Sequence, residues 1–118
     1  MEEDRVMQSM LLDFYGELLT DKQRRCYELH CNEDLSLSEI AEQCGISRQG
    51  VWDTIRRAQA AMETVEEKTG LIRRFRENRE ELERLRGQLE ELRRLSQGQA
   101  ETLAREACGR LDAVLSRL

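Results

Sequence analysis

Residues 37–55 read Leu-Ser-Glu-Ile-Ala-Glu-Gln-Cys-Gly-Ile-Ser-Arg-Gln-Gly-Val-Trp-Asp-Thr-Ile. Two crossing helices joined by a tight turn make three demands: a small residue where they touch, a glycine in the turn, and a branched apolar residue inside the second helix. Ala41, Gly45 and Val51 meet them in that order, with Ile40, Ile46 and Ile55 completing the wedge. A larger side chain at 41 would push the helices apart. Gly45 sits where the chain must turn left-handed, which glycine does without steric cost. Ser36-Leu37-Ser38-Glu39 is a capping box for the first helix, and Ser47 caps the second, with Ile46 and Val51 placed as a hydrophobic staple. The spacing predicts a helix-turn-helix over 36–57, its second helix burying Val51, Ile55, Ala58 and Met62.

Working outward, Val6, Met7, Met10, Leu11, Phe14, Leu18 and Leu19 recur at steps of three and four, one apolar face of a helix over about residues 5–19. Thr20-Asp21-Lys22-Gln23 is a second capping box. It starts a helix near Asp21 that turns Cys26, Tyr27 and Leu29 inward and stops at the polar Asn32-Glu33-Asp34. Gly70 marks a helix end or a tolerated kink. Beyond it Leu71, Phe75, Asn78, Leu82, Leu85, Leu89 and Leu92 alternate spacings of four and three, a heptad seam. In a parallel pair Glu81 would face Arg86 of the other strand. Ser96-Gln97-Gly98-Gln99 breaks the seam, and Leu103, Ala107, Leu111, Val114, Leu115 and Leu118 form a last amphipathic stretch. Two readings stand for this tail: a coiled coil dimerising through Leu82, Leu85, Leu89 and Leu92, or a plain solvated helix or helical hairpin, with Leu103–Leu118 folding back on Leu82–Leu95. The expected division is a helix-turn-helix domain over 1–69 and a helical tail over 70–118, in an all-α chain.

Composition agrees. The 118 residues include no proline, 4% aromatics and 36% charged side chains, as expected of a nearly all-helical protein. No apolar run approaches the roughly 20 residues of a membrane span, and the acidic Met1-Glu2-Glu3-Asp4 start lacks a signal-peptide core. The expectation is a cytoplasmic protein whose cysteines, Cys26, Cys31, Cys44 and Cys108, stay reduced. They show no paired C-x-x-C spacing, so no metal is expected. With one histidine, His30, and neither a nucleophile elbow nor a phosphate loop, the sequence suggests no enzyme and no cofactor.

With Val51 and Ile55 inward, the second helix of the motif turns Ser47, Arg48, Gln49, Trp52, Asp53 and Arg56 outward. On duplex DNA, Arg48 would read guanine and Gln49 adenine, while Arg56, Arg57, Lys22, Arg24 and Arg25 are candidates for phosphates. Charge argues otherwise. Residues 1–60 hold 7 bases against 12 acids, and phosphate neutralisation dominates DNA affinity. Trp52 suits a protein partner as an anchor or an unpaired base as a stacking platform. Gly50 inside this helix costs about 1 kcal/mol relative to Ala.

Leu11-Leu12-Asp13-Phe14-Tyr15, Leu18 through Gln23, Leu35 through Glu42, and Ile46-Ser47-Arg48-Gln49 before Val51 together resemble the YlxM family, roughly as far as Leu85. These are small bacterial proteins whose helix-turn-helix is similar to region 4 of sigma factors, within the winged-helix-type superfamily. The resemblance implies a part in the signal recognition particle pathway, a link resting on gene neighbourhood with the particle's GTPases. Gly50 and Trp52 depart from the Ala and Tyr usual there, and Arg86 to Leu118 lies outside the shared pattern. The expected function is that of an accessory or regulatory protein binding a protein or RNA component of the particle. The alternative is a DNA-binding transcriptional regulator, and a homodimer is expected in either case.

Overall fold

A computed structural model describes residues 2–118; Met1, the first residue of the acidic run, lies outside them. The described residues form six α-helices with no strand: α1 (Glu2–Tyr15), α2 (Asp21–Cys31), α3 (Leu37–Cys44), α4 (Arg48–Thr69), α5 (Leu71–Leu95) and α6 (Gln99–Arg117), with a short 3-10 turn at Gly16–Leu18. The chain is all-α, as expected. It divides into two compact units, Met1–Ile72 and Arg73–Leu118.

In the first unit local chemistry sets the helix ends. Thr20 Oγ1 accepts from the Gln23 amide at 3.2 Å while Gln23 Oε1 accepts from the Thr20 amide at 3.1 Å, and Ser36 and Glu39 exchange the same pair of bonds. These satisfy N–H groups that a helix start leaves open. Gly45 ends α3 at φ 68°, its N–H on the Ala41 carbonyl at 2.9 Å. Ser47 Oγ then accepts from the Gly50 amide at 2.9 Å and starts α4. Gly70 is a true stop rather than a kink. At φ 61° it ends α4 left-handed, and α5 begins at the next residue.

α4 is the hub of this unit and packs on α1, α2 and α3. It contributes Val51, Ile55, Ala58 and Met62 to the core, against Leu11, Leu12 and Tyr15 of α1, Cys26 and Tyr27 of α2, and Ile40 of α3. Ile72, the second residue of α5, is fully buried in the same core, which carries the unit past Gly70. The α1 stripe differs from expectation: Val6, Phe14 and Leu18 are exposed, and Leu12 and Tyr15 are buried instead. Leu18 is lost because α1 stops at Tyr15. Tyr15 is preferred to Phe14 because its ring fills apolar space while its hydroxyl finds partners, Glu66 Oε1 at 2.6 Å and Thr69 Oγ1 at 2.7 Å. Glu66 Oε1 also accepts from the Ile72 amide at 2.9 Å. One carboxylate thus ties α1, the end of α4 and the start of α5.

In the second unit the hairpin reading holds. Arg93 Nε donates to Glu101 Oε1 at 3.4 Å and Arg86 Nε to Asp112 Oδ1, so α5 and α6 run antiparallel. Arg86 is therefore engaged within its own chain, and Glu81 lies beside Arg84 at 3.6 Å. The turn contains Gly98, at φ 65°. α6 buries Ala104, Cys108 and Leu111. Leu103, expected on the apolar face, is exposed, because the stripe that α6 buries is the neighbouring one of Ala104, Cys108 and Leu111.

Candidate binding face of the helix-turn-helix

Because α4 advances about 100° per residue, burying Val51 and Ile55 leaves a continuous outer face. Arg48, Gln49, Trp52, Asp53, Arg56 and Arg57 are all exposed, as is the cap Ser47. Trp52 stands at the centre with 43% of its surface in water. The Arg56 guanidinium lies 5.9 Å from its ring centroid, within cation–π range. Gln49 Nε2 donates to Asp53 Oδ1 at 3.2 Å, one turn along. Two of the residues assigned to reading and neutralising nucleic acid, Gln49 and Arg56, are thus engaged on their own helix.

Shallow grooves flank the indole. Leu37, at the start of α3, closes one with Arg48, Gln49 and Trp52. The other runs along α4 past Ile55, Arg56, Gln59, Ala60 and Glu63, and is walled by Gln8 of α1 and His30 of α2. Periodicity does not show these walls. Gln8, His30 and Leu37 reach Trp52 through helix packing, and nothing local in the sequence marks them.

The other candidates lie elsewhere. Arg24 donates to Glu28 at 2.9 Å, so a carboxylate already sits beside it, while Lys22 and Arg25 are exposed on α2. Leu82 and Leu89 are half-buried and Leu85 and Leu92 exposed. Among the described residues no three of His, Cys, Asp and Glu are grouped to hold a metal ion, and no helix is long and apolar enough to cross a membrane. All four cysteines are free thiols. Burial pushes the Cys26 thiol above its ordinary pKa, and the adjacent Cys44 raises it further, so it stays protonated as a small apolar filler.

Charge separates the two units. Residues 1–72, which carry the α4 face, hold 8 bases against 15 acids, a net of −7, whereas residues 73–118 hold 11 against 9. The face can offer an aromatic surface edged by cations and amides, on a body that repels polyanions.

The family model described as "Putative helix-turn-helix protein, YlxM / p13 like", UPF0122, matches residues 2–102. The chain belongs to this family. The UPF0122 pattern runs beyond Leu85, through the whole of α5 and into the first turn of α6. The limit read from the sequence was too short because spaced leucines and charges in that stretch carry no distinctive motif. A UPF0122 protein of Thermoanaerobacter sp. (strain X514) is 45% identical over 93 residues, covering 79% of this chain and 80% of its own. One from Geobacillus kaustophilus is 48% identical over 86 residues, 73% of this chain and 78% of its own. One from Acetivibrio thermocellus is 51% identical over 73 residues, 61% and 62% respectively.

Proposed function

We propose that this UPF0122 chain is a non-enzymatic cytoplasmic accessory protein of the signal recognition particle pathway, and that it grips a protein component of the particle through the α4 face. The pathway is what the YlxM resemblance implies. The observation that carries the mode of binding is Trp52, exposed at the centre of that face with Arg56 against its ring. Tryptophan and arginine are both enriched among the residues that carry most of the binding energy at protein interfaces. The net −7 of the surrounding unit disfavours a long phosphate backbone. Duplex DNA is the second reading, favoured by the helix-turn-helix itself, whose second helix leaves Arg48 and Gln49 exposed in its first turn.

The two readings rank two variants in opposite order. On a protein partner Trp52→Ala weakens binding by about 2 kcal/mol or more, roughly thirtyfold, while Arg56→Gln with Arg57→Gln changes mainly on-rate and salt dependence. On DNA the double arginine variant flattens the log-affinity against log-salt slope by about 0.9 per lost contact, and Trp52→Ala matters less. Both variants are titrated against purified particle proteins, particle RNA and duplex DNA. Nanomolar binding of a particular duplex, lost in the arginine variant and kept in Trp52→Ala, would overturn the protein reading. Binding carried by particle RNA alone would replace it with base stacking on Trp52.

A further inference from the structure

The α5–α6 hairpin buries one stripe between its helices and leaves a second one in water. On α5, Leu85 and Leu92 are 43% and 52% exposed; on α6, Leu103 is 67% exposed. At about 100° per residue, Leu85 and Leu92 lie roughly a quarter-turn from the side of α5 that meets α6, which Arg86 and Arg93 mark by bonding Asp112 and Glu101. Leu103 and the half-buried Val114 lie a similar rotation from the buried Ala104, Cys108 and Leu111 on α6. The displacement has the same rotational sense on both helices. Because the helices run antiparallel, equal senses bring the two stripes to one side of the hairpin. That side is apolar, whereas the opposite one carries Glu83, Arg94, Arg105 and Asp112.

We propose that this apolar side packs on the same side of a second copy of the chain, so that two hairpins make a four-helix bundle. Size fits. The shorter helix, α6, has 19 residues and spans about 28 Å at 1.5 Å per residue. Two such helices side by side present a face roughly 20 Å wide. About 560 Å² per copy, or roughly 1,100 Å² in total, clears the ~1,000 Å² that a specific interface needs.

Charge fits as well, and it selects the arrangement. Helical rotation places Glu77 and Glu81 on the outer edge of this face along α5, and Arg110 and Arg117, with Glu106 farther round, on the outer edge along α6. Among the described residues no ion pair reaches Arg110 or Arg117, and Glu81 has only a loose, solvent-exposed contact with Arg84 at 3.6 Å. A two-fold axis parallel to the helices lays each α5 over the partner's α6, so acidic edge meets basic edge and every neighbouring pair of helices is antiparallel. The register set by Arg86–Asp112 and Arg93–Glu101 then brings Glu81 to within about one helical turn of the partner's Arg117. The perpendicular axis would instead bring like edges together.

Sedimentation equilibrium of the full chain tests this. The chain is expected to be a dimer at about 100 μM, and Leu85→Glu or Leu103→Glu to weaken it at least about tenfold. Helical circular dichroism should stay unchanged, since both side chains are already in water. Ala113→Glu, on the outermost side of α6, should leave the dimer intact. Glu81→Arg should weaken it, and adding Arg117→Glu should restore most of the loss; this pair decides the matter if a leucine variant misfolds. A monomeric parent chain, a dimer indifferent to both leucine changes, or a charge reversal without restoration would overturn the proposal.

Discussion

Tyr15→Phe removes one hydroxyl and leaves the ring in place, so its cost reads the worth of a single buried network. That hydroxyl donates to Glu66 Oε1 at 2.6 Å and lies 2.7 Å from Thr69 Oγ1, with only 4% of the residue exposed. A hydrogen bond to a charged group contributes about 1.5–3 kcal/mol, so Tyr15→Phe should destabilise the first unit by about 2 kcal/mol. Trp52 is the sole tryptophan, so its fluorescence in a urea titration follows that unit alone; the midpoint should fall by about 1 M at an ordinary slope. In a Glu66→Gln background the acceptor is neutral, and the same change should cost about 1 kcal/mol. A loss below about 0.5 kcal/mol in the parent chain would refute the idea that this bond knits α1 to the α4–α5 junction. The alkaline limb gives a second check. Burial, and then the bond to Glu66, hold the Tyr15 phenol above its ordinary pKa of 10.0. The stability this confers is full below the unfolded value and is lost as pH rises through the folded one. Tyr15→Phe should therefore show a shallower decline above pH 10. The decline does not vanish, because burial raises the Tyr27 phenol as well.

Three further outcomes test the motif. Ala41→Leu should overpack the α3–α4 crossing at a cost of about 1–3 kcal/mol, and an unchanged melting temperature would show that the helices do not meet there. Ser36→Ala should cost about 1 kcal/mol through the lost cap, measured by thermal melting. The Glu39 carboxyl is held below its ordinary pKa by its bond to the Ser36 backbone and then by the Ser36 side chain. Its stabilisation is present above the unfolded pKa and lost as pH falls through the folded one, so Glu39→Gln should flatten the acid limb of the stability curve. An acid limb identical to that of the parent chain would count against the capping box.

The α4 face was legible only in part. Ser47, Arg48, Gln49, Trp52, Arg56 and Arg57 could be placed on one outer surface from the inward Val51 and Ile55, because helical phase is a local property. That Gln49 is bonded to Asp53 and Arg56 lies against Trp52 is also within reach of a helical wheel, yet neither contact is obligatory between exposed side chains. The groove walls Gln8, His30 and Leu37 were out of reach, since they come from three other helices.

By itself the sequence determined the all-helical class, the helix starts at Thr20, Ser36 and Ser47, and the left-handed stop at Gly45. Each rests on a few adjacent residues whose side chains and backbone satisfy one another, so no distant contact is needed to specify it. Tertiary structure decided which faces are wet. It chose Tyr15 over Phe14 because Glu66 and Thr69, some fifty positions away, can receive a hydroxyl. It made Gly70 a stop, with Ile72 drawn into the first core beyond it. It closed the leucine seam of α5 on α6 of the same chain, leaving Leu85 and Leu92 outside. A heptad records only that an apolar stripe must be covered; the helix that covers it is chosen by the turn at Gly98 and the small residues facing it on α6.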